Sequence, residues 1–305
     1  MKNSAAPNII ILGTLFGTTL VASRFSVGQM APLTYVSLRL SLAGLAFLII
    51  YTFSIGGRKW PKDRTLWRRG IILGIFGTAL PMISFTSSLQ YLSSGLVSVL
   101  MTTSPAFTVV MAHFLLPDEK LSWHKSIGIA LALIGGLLLT IRGESGLATS
   151  GEGNLIGYAL VFAGIISASS MGIYVRKKMR NYRSSDVAVV RMSAASLAIF
   201  PFTWLVAGYD MSQVNTSGWL VLLYAAIAGT FFAMLLDFSN TARFGPTVAA
   251  MVTYVIPVVA VISGALLLDE KITLTMLFGM IFVVIGIGFI LQTQNTPTVK
   301  PASYP

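Results

Sequence analysis

The sequence predicts an all-α integral membrane protein, with ten transmembrane helices arranged as two inverted five-helix repeats. Three observations carry that expectation, and the first is composition. Hydrophobic residues make up 55% of the 305 and charged residues only 10%, with a mean hydropathy of +0.80. An ordinary soluble domain is about 25% charged. The second observation is duplication. Leu38-Arg39-Leu40-Ser41 is answered by Val190-Arg191-Met192-Ser193, 152 residues on, and Gly77-Thr78 by Gly229-Thr230 at the same offset. Asp118-Glu119-Lys120 returns as Asp269-Glu270-Lys271, Gly128 as Gly279 and Gly135 as Gly286, all at 151. A shift of one residue is what a small indel leaves. The third observation is parity. Five spans per half return the chain to the opposite side of a bilayer, so the second copy must run upside down relative to the first, with a site expected between them.

Spans of about 20 apolar residues are read at 9–27, 32–54, 68–90, 95–116 and 124–141, then at 154–175, 185–207, 218–242, 246–268 and 273–291. The first loosely resembles a signal peptide ending at Val21-Ala22-Ser23. Yet Arg24 has its counterpart Arg176 after an internal span, so the first span is expected to be retained. Gly56-Gly57-Arg58-Lys59-Trp60-Pro61 separates the second and third spans, and Asn181-Tyr182-Arg183-Ser184-Ser185 the sixth and seventh. Residues 1–142 thus form the first repeat and 154–292 the second. The polar, glycine-rich stretch 143–153 joins them as a flexible linker. The tail 293–305, with three prolines, is expected to be disordered.

The net charge of +11 reads as topology. With a cytoplasmic N-terminus, sixteen Lys and Arg fall on the cytoplasmic side and three, Arg24, Arg142 and Lys271, on the other. By the positive-inside rule both termini are cytoplasmic and the protein is a multi-pass resident of the cytoplasmic (inner) membrane. The basic face would attract anionic lipid headgroups. No basic stretch is interleaved with an aromatic platform, so nucleic acid is not an expected partner. A small-molecule substrate and membrane lipid are. A monomer is expected, with no feature of the sequence fixing the oligomeric state.

Helical periodicity gathers small and hydroxyl residues on one face of several spans. These faces carry Phe85 and Ser88 in the third span, Thr102 and Pro105 in the fourth, Ser167, Ser170 and Tyr174 in the sixth, Thr230 and Asp237 in the eighth, and Thr253 and Pro257 in the ninth. Such faces either let helices pack closely or line a wet cavity. Pro105 and Pro257 occupy comparable stretches of the two repeats, where kinks would suit moving helices or simply give static curvature. Asp237 is the only acid well inside a span, Asp186 standing at the very edge of the seventh. It is expected to bind a substrate ammonium, to carry a coupling proton, or to pair with a base such as Arg243. His113, the only histidine not at the first residue of a span, is a second candidate for coupling. Arg39 and Arg191, being repeat mates, read as anchors or gate elements. No His-Glu-x-x-His, no phosphate-binding loop and no cysteine is present, so no catalytic residue, metal site or cofactor is expected.

Together these residues resemble the drug/metabolite transporter superfamily, in its EamA-like branch. The features that carry the resemblance are Arg39 and Arg191, Leu92-Ser93-Ser94-Gly95, Ser104-Pro105, Pro117-Asp118-Glu119-Lys120-Leu121, Ile256-Pro257, Asp269-Glu270-Lys271-Ile272 and the paired glycines. The resemblance implies a central cavity framed by spans one, three and four of each repeat, and secondary export of amino acids or other small metabolites by alternating access. It directs attention to Phe16, Phe85, Thr102, Ser167, Ser170, Thr230 and Thr253, and makes the acid of the Asp-Glu-Lys motif a helix-start element. Export of drugs or nucleotide-type metabolites is the alternative cargo. A membrane enzyme built on His113 and Asp237, or a channel or scramblase, is the alternative class.

Overall fold

The computed structural model describes residues 5–54, 57, 59–116, 121–142, 145–147, 155–244 and 251–292. These form ten helical spans and no strand. They are α1 (Ala6–Ser26), α2 (Pro32–Thr52), α3 (Arg64–Ser88), α4 (Ser94–Leu115) and α5 (Trp123–Arg142), then α6 (Leu155–Lys178) and α7 (Ser184–Val206). The eighth, α8, is built from Thr216–Ala226, Ile227–Phe232 and Ala233–Phe244, and α9 (Val252–Leu268) and α10 (Leu274–Gln292) complete the set. The tail from 293, the linker apart from Ser145–Leu147, and the start of the ninth span lie outside the described residues. The third helix begins a turn before its apolar span. Asp63 caps it, its side chain accepting from the Thr65 N–H at 2.7 Å, and Arg64, Arg68 and Arg69 follow in a turn that needs no burial. Large apolar side chains such as Leu205, Leu266 and Ile141 are exposed on the outside of the bundle, as contact with lipid tails requires.

Contacts between the halves come in matched pairs. Helix α1 packs on α9 as α6 packs on α4, and α2 packs on α8 as α7 packs on α3. The α2–α7 and α5–α10 pairs map onto themselves. Glycines set the closest approaches. A Cβ on Gly135 would stand 2.8 Å from the Gly279 carbonyl oxygen, and one on Gly286 would stand 2.5 Å from that of Gly128. The four glycines of the duplicated motif therefore form one seam, each repeat's glycine meeting the other repeat's backbone, as small residues do between membrane helices. Gly286→Leu is expected to lower stability by about 1–3 kcal/mol through overpacking. Thermal unfolding in detergent checks this, and an unchanged midpoint would show that the seam yields.

The proline kinks differ from the expectation of paired bends. Helix α4 breaks at Thr102–Thr103, ahead of Pro105, whereas α9 runs unbroken through Pro257. The paired irregularities are π-helical turns instead, at Ile75–Ala79 in α3 and Ile227–Phe232 in α8. They coincide with the repeated Gly77-Thr78 and Gly229-Thr230. In the second, the Thr230 hydroxyl donates to the Ala225 carbonyl at 2.8 Å, spanning the widened turn.

The acid of the second Asp-Glu-Lys motif, expected as a helix-start element, meets the start of a helix distant in sequence. Asp269 ends α9 in the left-handed conformation at φ 52°, which a short polar side chain tolerates. That reversal sends Glu270, 8% exposed, across to α4. Its carboxylate accepts from the Ser94 N–H at 2.8 Å, the Ser94 hydroxyl at 2.7 Å and the Gly95 N–H at 3.2 Å. The motif starts a helix of the other repeat. Asp118, Glu119 and Lys120 lie outside the described residues.

Candidate functional site

Two arginines from equivalent places each reach across to the other repeat. Arg39, in α2, donates from Nε to the Thr230 hydroxyl at 2.8 Å and from Nη1 to the Ser23 hydroxyl at 3.2 Å, so it ties α2 to α8 and α1. Arg191, in α7, donates from Nε to the Thr78 hydroxyl at 2.9 Å and from Nη2 to the Gly77 carbonyl at 3.3 Å, tying α7 to α3. Arg39 and Arg191 are repeat mates, and so are Thr230 and Thr78. The bonds are therefore reciprocal, each arginine gripping the π-helical turn of the opposite repeat. The neighbouring glycines follow the same rule. Gly229 is approached by the Thr19 hydroxyl and Gly77 by the side chain of Met171, the residue 152 positions after Thr19. Both positions exclude a Cβ.

One clasp borders a cavity of about 270 Å³. Phe16, Thr19 and Leu20 from α1, Arg39 from α2, Met82, Phe85 and Thr86 from α3, Met101 from α4 and Ile256 from α9 line it. Its walls are apolar and sulfur-rich, and Arg39 is the one charge among the described lining residues. The chemistry of such a lining is that of a pocket able to take a small apolar group with an anionic end. Of the residues expected to line a cavity, Phe16 and Phe85 do. Arg39, expected to anchor or gate, lines it as well. Leu20, Met82 and Met101 are ordinary apolar residues in sequence and carried no signal, whereas Ile256 stands in the Ile256-Pro257 motif without being marked as a lining residue.

The other expected cavity residues are not among the described lining of this cavity. Ser88 is buried and donates to the Phe85 carbonyl at 2.7 Å; Thr102, also buried, closes the end of the upper half of α4 on the Val99 carbonyl at 2.5 Å. Ser167 donates to the Phe76 carbonyl at 2.5 Å and Ser170 to the Ile166 carbonyl at 2.6 Å, and Tyr174 packs into the core around α2 and α7. Thr230 is spent on the clasp. Thr253 is half-buried on α9, three residues before Ile256. Pro105 opens the lower half of α4 and Pro257 is buried beside Ile256. Neither α6 nor α8 contributes a described lining residue, so the cavity is framed mainly by the first repeat rather than equally by both.

Asp237 and His113 are separate features. His113 accepts from the Leu121 N–H at 3.4 Å and lies edge-on to Phe114, at the end of α4. Asp237 is half-buried and interacts electrostatically with Arg191 rather than with a base on its own helix. The offset that relates Arg39 to Arg191 relates Phe85 to Asp237 and Ser88 to Asn240. Asn240 is wholly buried, and neither its amide nitrogen nor its oxygen has a hydrogen-bond partner among the described residues. Where one repeat places a phenyl ring by its clasp, the other places a carboxylate with a buried amide one turn on. No cluster of metal-ligating side chains occurs among the described residues.

The model of the EamA-like transporter family matches residues 3–141 and again 155–292. The chain belongs to that family. This EamA-like protein is a multi-pass membrane transporter rather than an enzyme. It is 26% identical to an uncharacterized transporter of Archaeoglobus fulgidus, over 92% of this chain and 96% of that one. It is likewise 26% identical to the uncharacterized inner membrane transporter YedA of Escherichia coli K12, over 84% and 80%. A probable amino-acid metabolite efflux pump of Salmonella typhimurium is 25% identical over 91% of both chains. A crystal structure similar in fold gives a TM-score of 0.64 at 17% identity, covering 94% of this chain and 98% of that one.

Proposed function

We propose that this EamA-like transporter exports small metabolites bearing a carboxylate, amino acids foremost, across the cytoplasmic membrane by alternating access, as a secondary transporter with both termini in the cytoplasm. The observation that carries the reading is the pair of reciprocal clasps, one of them bordering an apolar cavity whose single charge is Arg39. Two inverted copies holding one another at equivalent points supply two related arrangements, which is what opening alternately to each side requires. The cavity, at the small end of ligand pockets, suits a small metabolite. Arg39 would hold the carboxylate and the aromatic and Met walls the side chain. Arg191, Asp237 and Asn240 supply the opposite half with both signs of charge and an amide, suited to a zwitterion or to carrying the coupling proton. One relative's name, an amino-acid metabolite efflux pump, agrees with this cargo.

Uptake of a panel of amino acids, nucleotides and cationic drugs into inside-out vesicles, with and without a pH gradient, tests the reading. Saturable uptake of an amino acid supports it; uptake confined to the other classes, or linear in substrate, overturns it. Asp237→Asn is expected to abolish gradient-driven accumulation while sparing exchange if the carboxylate carries the coupling proton, and to abolish both if it holds the substrate's ammonium. A folded variant with both intact would leave Asp237 a structural partner of Arg191. For orientation, a cysteine at Ser150 is expected to react with an impermeant maleimide on intact cells and one at Lys62 to stay unlabelled. The reverse pattern would invert the assignment.

A further inference from the structure

Thr34 donates to the Gly208 carbonyl and Ser37 meets the Tyr209 hydroxyl, while Tyr51 donates to the Ser185 carbonyl, so α2 and α7 run antiparallel. Arg39 and Arg191 therefore stand toward opposite ends of the bundle. Three walls of the cavity beside Arg39 change character in the other repeat. Phe16 is answered by Ala168, Leu20 by Gly172 and Phe85 by Asp237, each 152 residues on. The smaller walls leave room. Gly172 shares a side of α6 with the buried Ile165, two turns back, yet it is exposed, and a Cβ there would meet nothing within 4 Å. Its neighbour Met171 approaches Gly77, whose carbonyl accepts from Arg191, so the open space adjoins the clasp.

The polar groups of this half keep unspent capacity. Arg191 uses Nε on Thr78 and Nη2 on Gly77, which leaves Nη1 uncommitted. Asp237 is half-buried and interacts electrostatically with Arg191, without a hydrogen bond between them. No described residue donates to its carboxylate. Asn240 follows three residues later, beside Asp237 on the surface of α8, and is wholly buried with both amide atoms unpartnered among the described residues. Stranding both ends of a buried amide destabilises a fold, and in a natural protein such a group is reserved for something that satisfies it.

We infer that Arg191, Asp237 and Asn240 hold the head group of an amino-acid cargo. The ammonium lies between the Asp237 carboxylate and the Asn240 Oδ1, and the carboxylate accepts from the Arg191 Nη1 and the Asn240 Nδ2. A separated carboxylate and guanidinium, flanked by a free donor and a free acceptor, are the complement of a zwitterion. This site rests on the export reading above and adds a second station to it. The two stations lie in series along the bundle, one matched to a zwitterion and the other to an anion with an apolar flank.

The test uses full-length protein in detergent and labelled L-leucine, displaced by isocaproate, which lacks only the amine, or by isoamylamine, which lacks only the carboxylate. Leucine is expected to bind about tenfold or more tightly than either analogue. Asp237→Asn should bring leucine and isocaproate to within about twofold by weakening leucine alone. Asn240→Leu, which removes the amide but keeps its bulk, should cut the preference for leucine by about threefold or more and raise the melting temperature, because two stranded polar atoms leave the interior. A preference that survives both substitutions overturns this site and leaves the export reading standing, as does leucine bound no better than isocaproate by the natural protein. Absence of any amino-acid uptake in vesicles overturns both. Loss of leucine and isocaproate together in Asp237→Asn, or a lower melting temperature for Asn240→Leu, would make these side chains supports of the fold and overturn the site.

Discussion

Arg39→Gln is expected to lower the initial rate of transport by about 100-fold at equal protein abundance. The variant loses two charge-assisted hydrogen bonds, to Thr230 and Ser23. At about 1.5 kcal/mol each these amount to about 3 kcal/mol, and each 1.36 kcal/mol is roughly a factor of ten in rate. Thr230→Val, which deletes only the acceptor of the shorter bond, should cost about tenfold, and Arg39→Gln should then cost less in the Thr230→Val background than in the natural protein. The reciprocal geometry extends the expectation to Arg191→Gln and Thr78→Val. If Arg191→Gln transports at the natural rate while Arg39→Gln does not, Arg39 acts through the cavity it lines and the clasps are not a working pair. Initial rates in proteoliposomes decide between these outcomes.

Glu270→Ala is expected to destabilise the fold by about 3 kcal/mol. It strands the Ser94 and Gly95 N–H groups and the Ser94 hydroxyl in a buried place, with no carboxylate to receive them. Glu270→Gln keeps one good acceptor oxygen and should fall between, losing about 1–2 kcal/mol. Thermal unfolding of the purified variants gives the order. An alanine variant as stable as the natural protein would mean that water satisfies the start of α4 and that the carboxylate is dispensable.

The spans and the repeat were legible in the sequence because both are properties of local pattern. Runs of apolar residues have no other stable use at this length, and the recurrence of Arg39 as Arg191 can be read off directly. Which mate meets which could not be read. An offset relates Thr78 to Thr230 and says nothing of Arg39 meeting Thr230 rather than Thr78. The same limit explains why the sequence points Thr230, Ser167 and Ser170 toward a cavity: a polar stripe on a helix looks alike whether it faces a void or a neighbouring backbone. It explains Glu270 too. Beside a helix end, an acid reads as a cap for the nearest helix, and only the folded topology shows that the helix it serves lies 176 residues back in the chain. Asn240 is silent in the sequence because a buried amide is conspicuous only once the described residues around it are seen to offer it no hydrogen bond.

The widened turns in α3 and α8 make each half dependent on the other for its own regularity. A π-helical turn interrupts the ordinary ladder of its helix. Both lie at the same register of their halves, beside the same Gly-Thr pair, and each is gripped by the other half's arginine. Neither half therefore steadies its own irregular turn, and a change at either arginine is felt first in the opposite half.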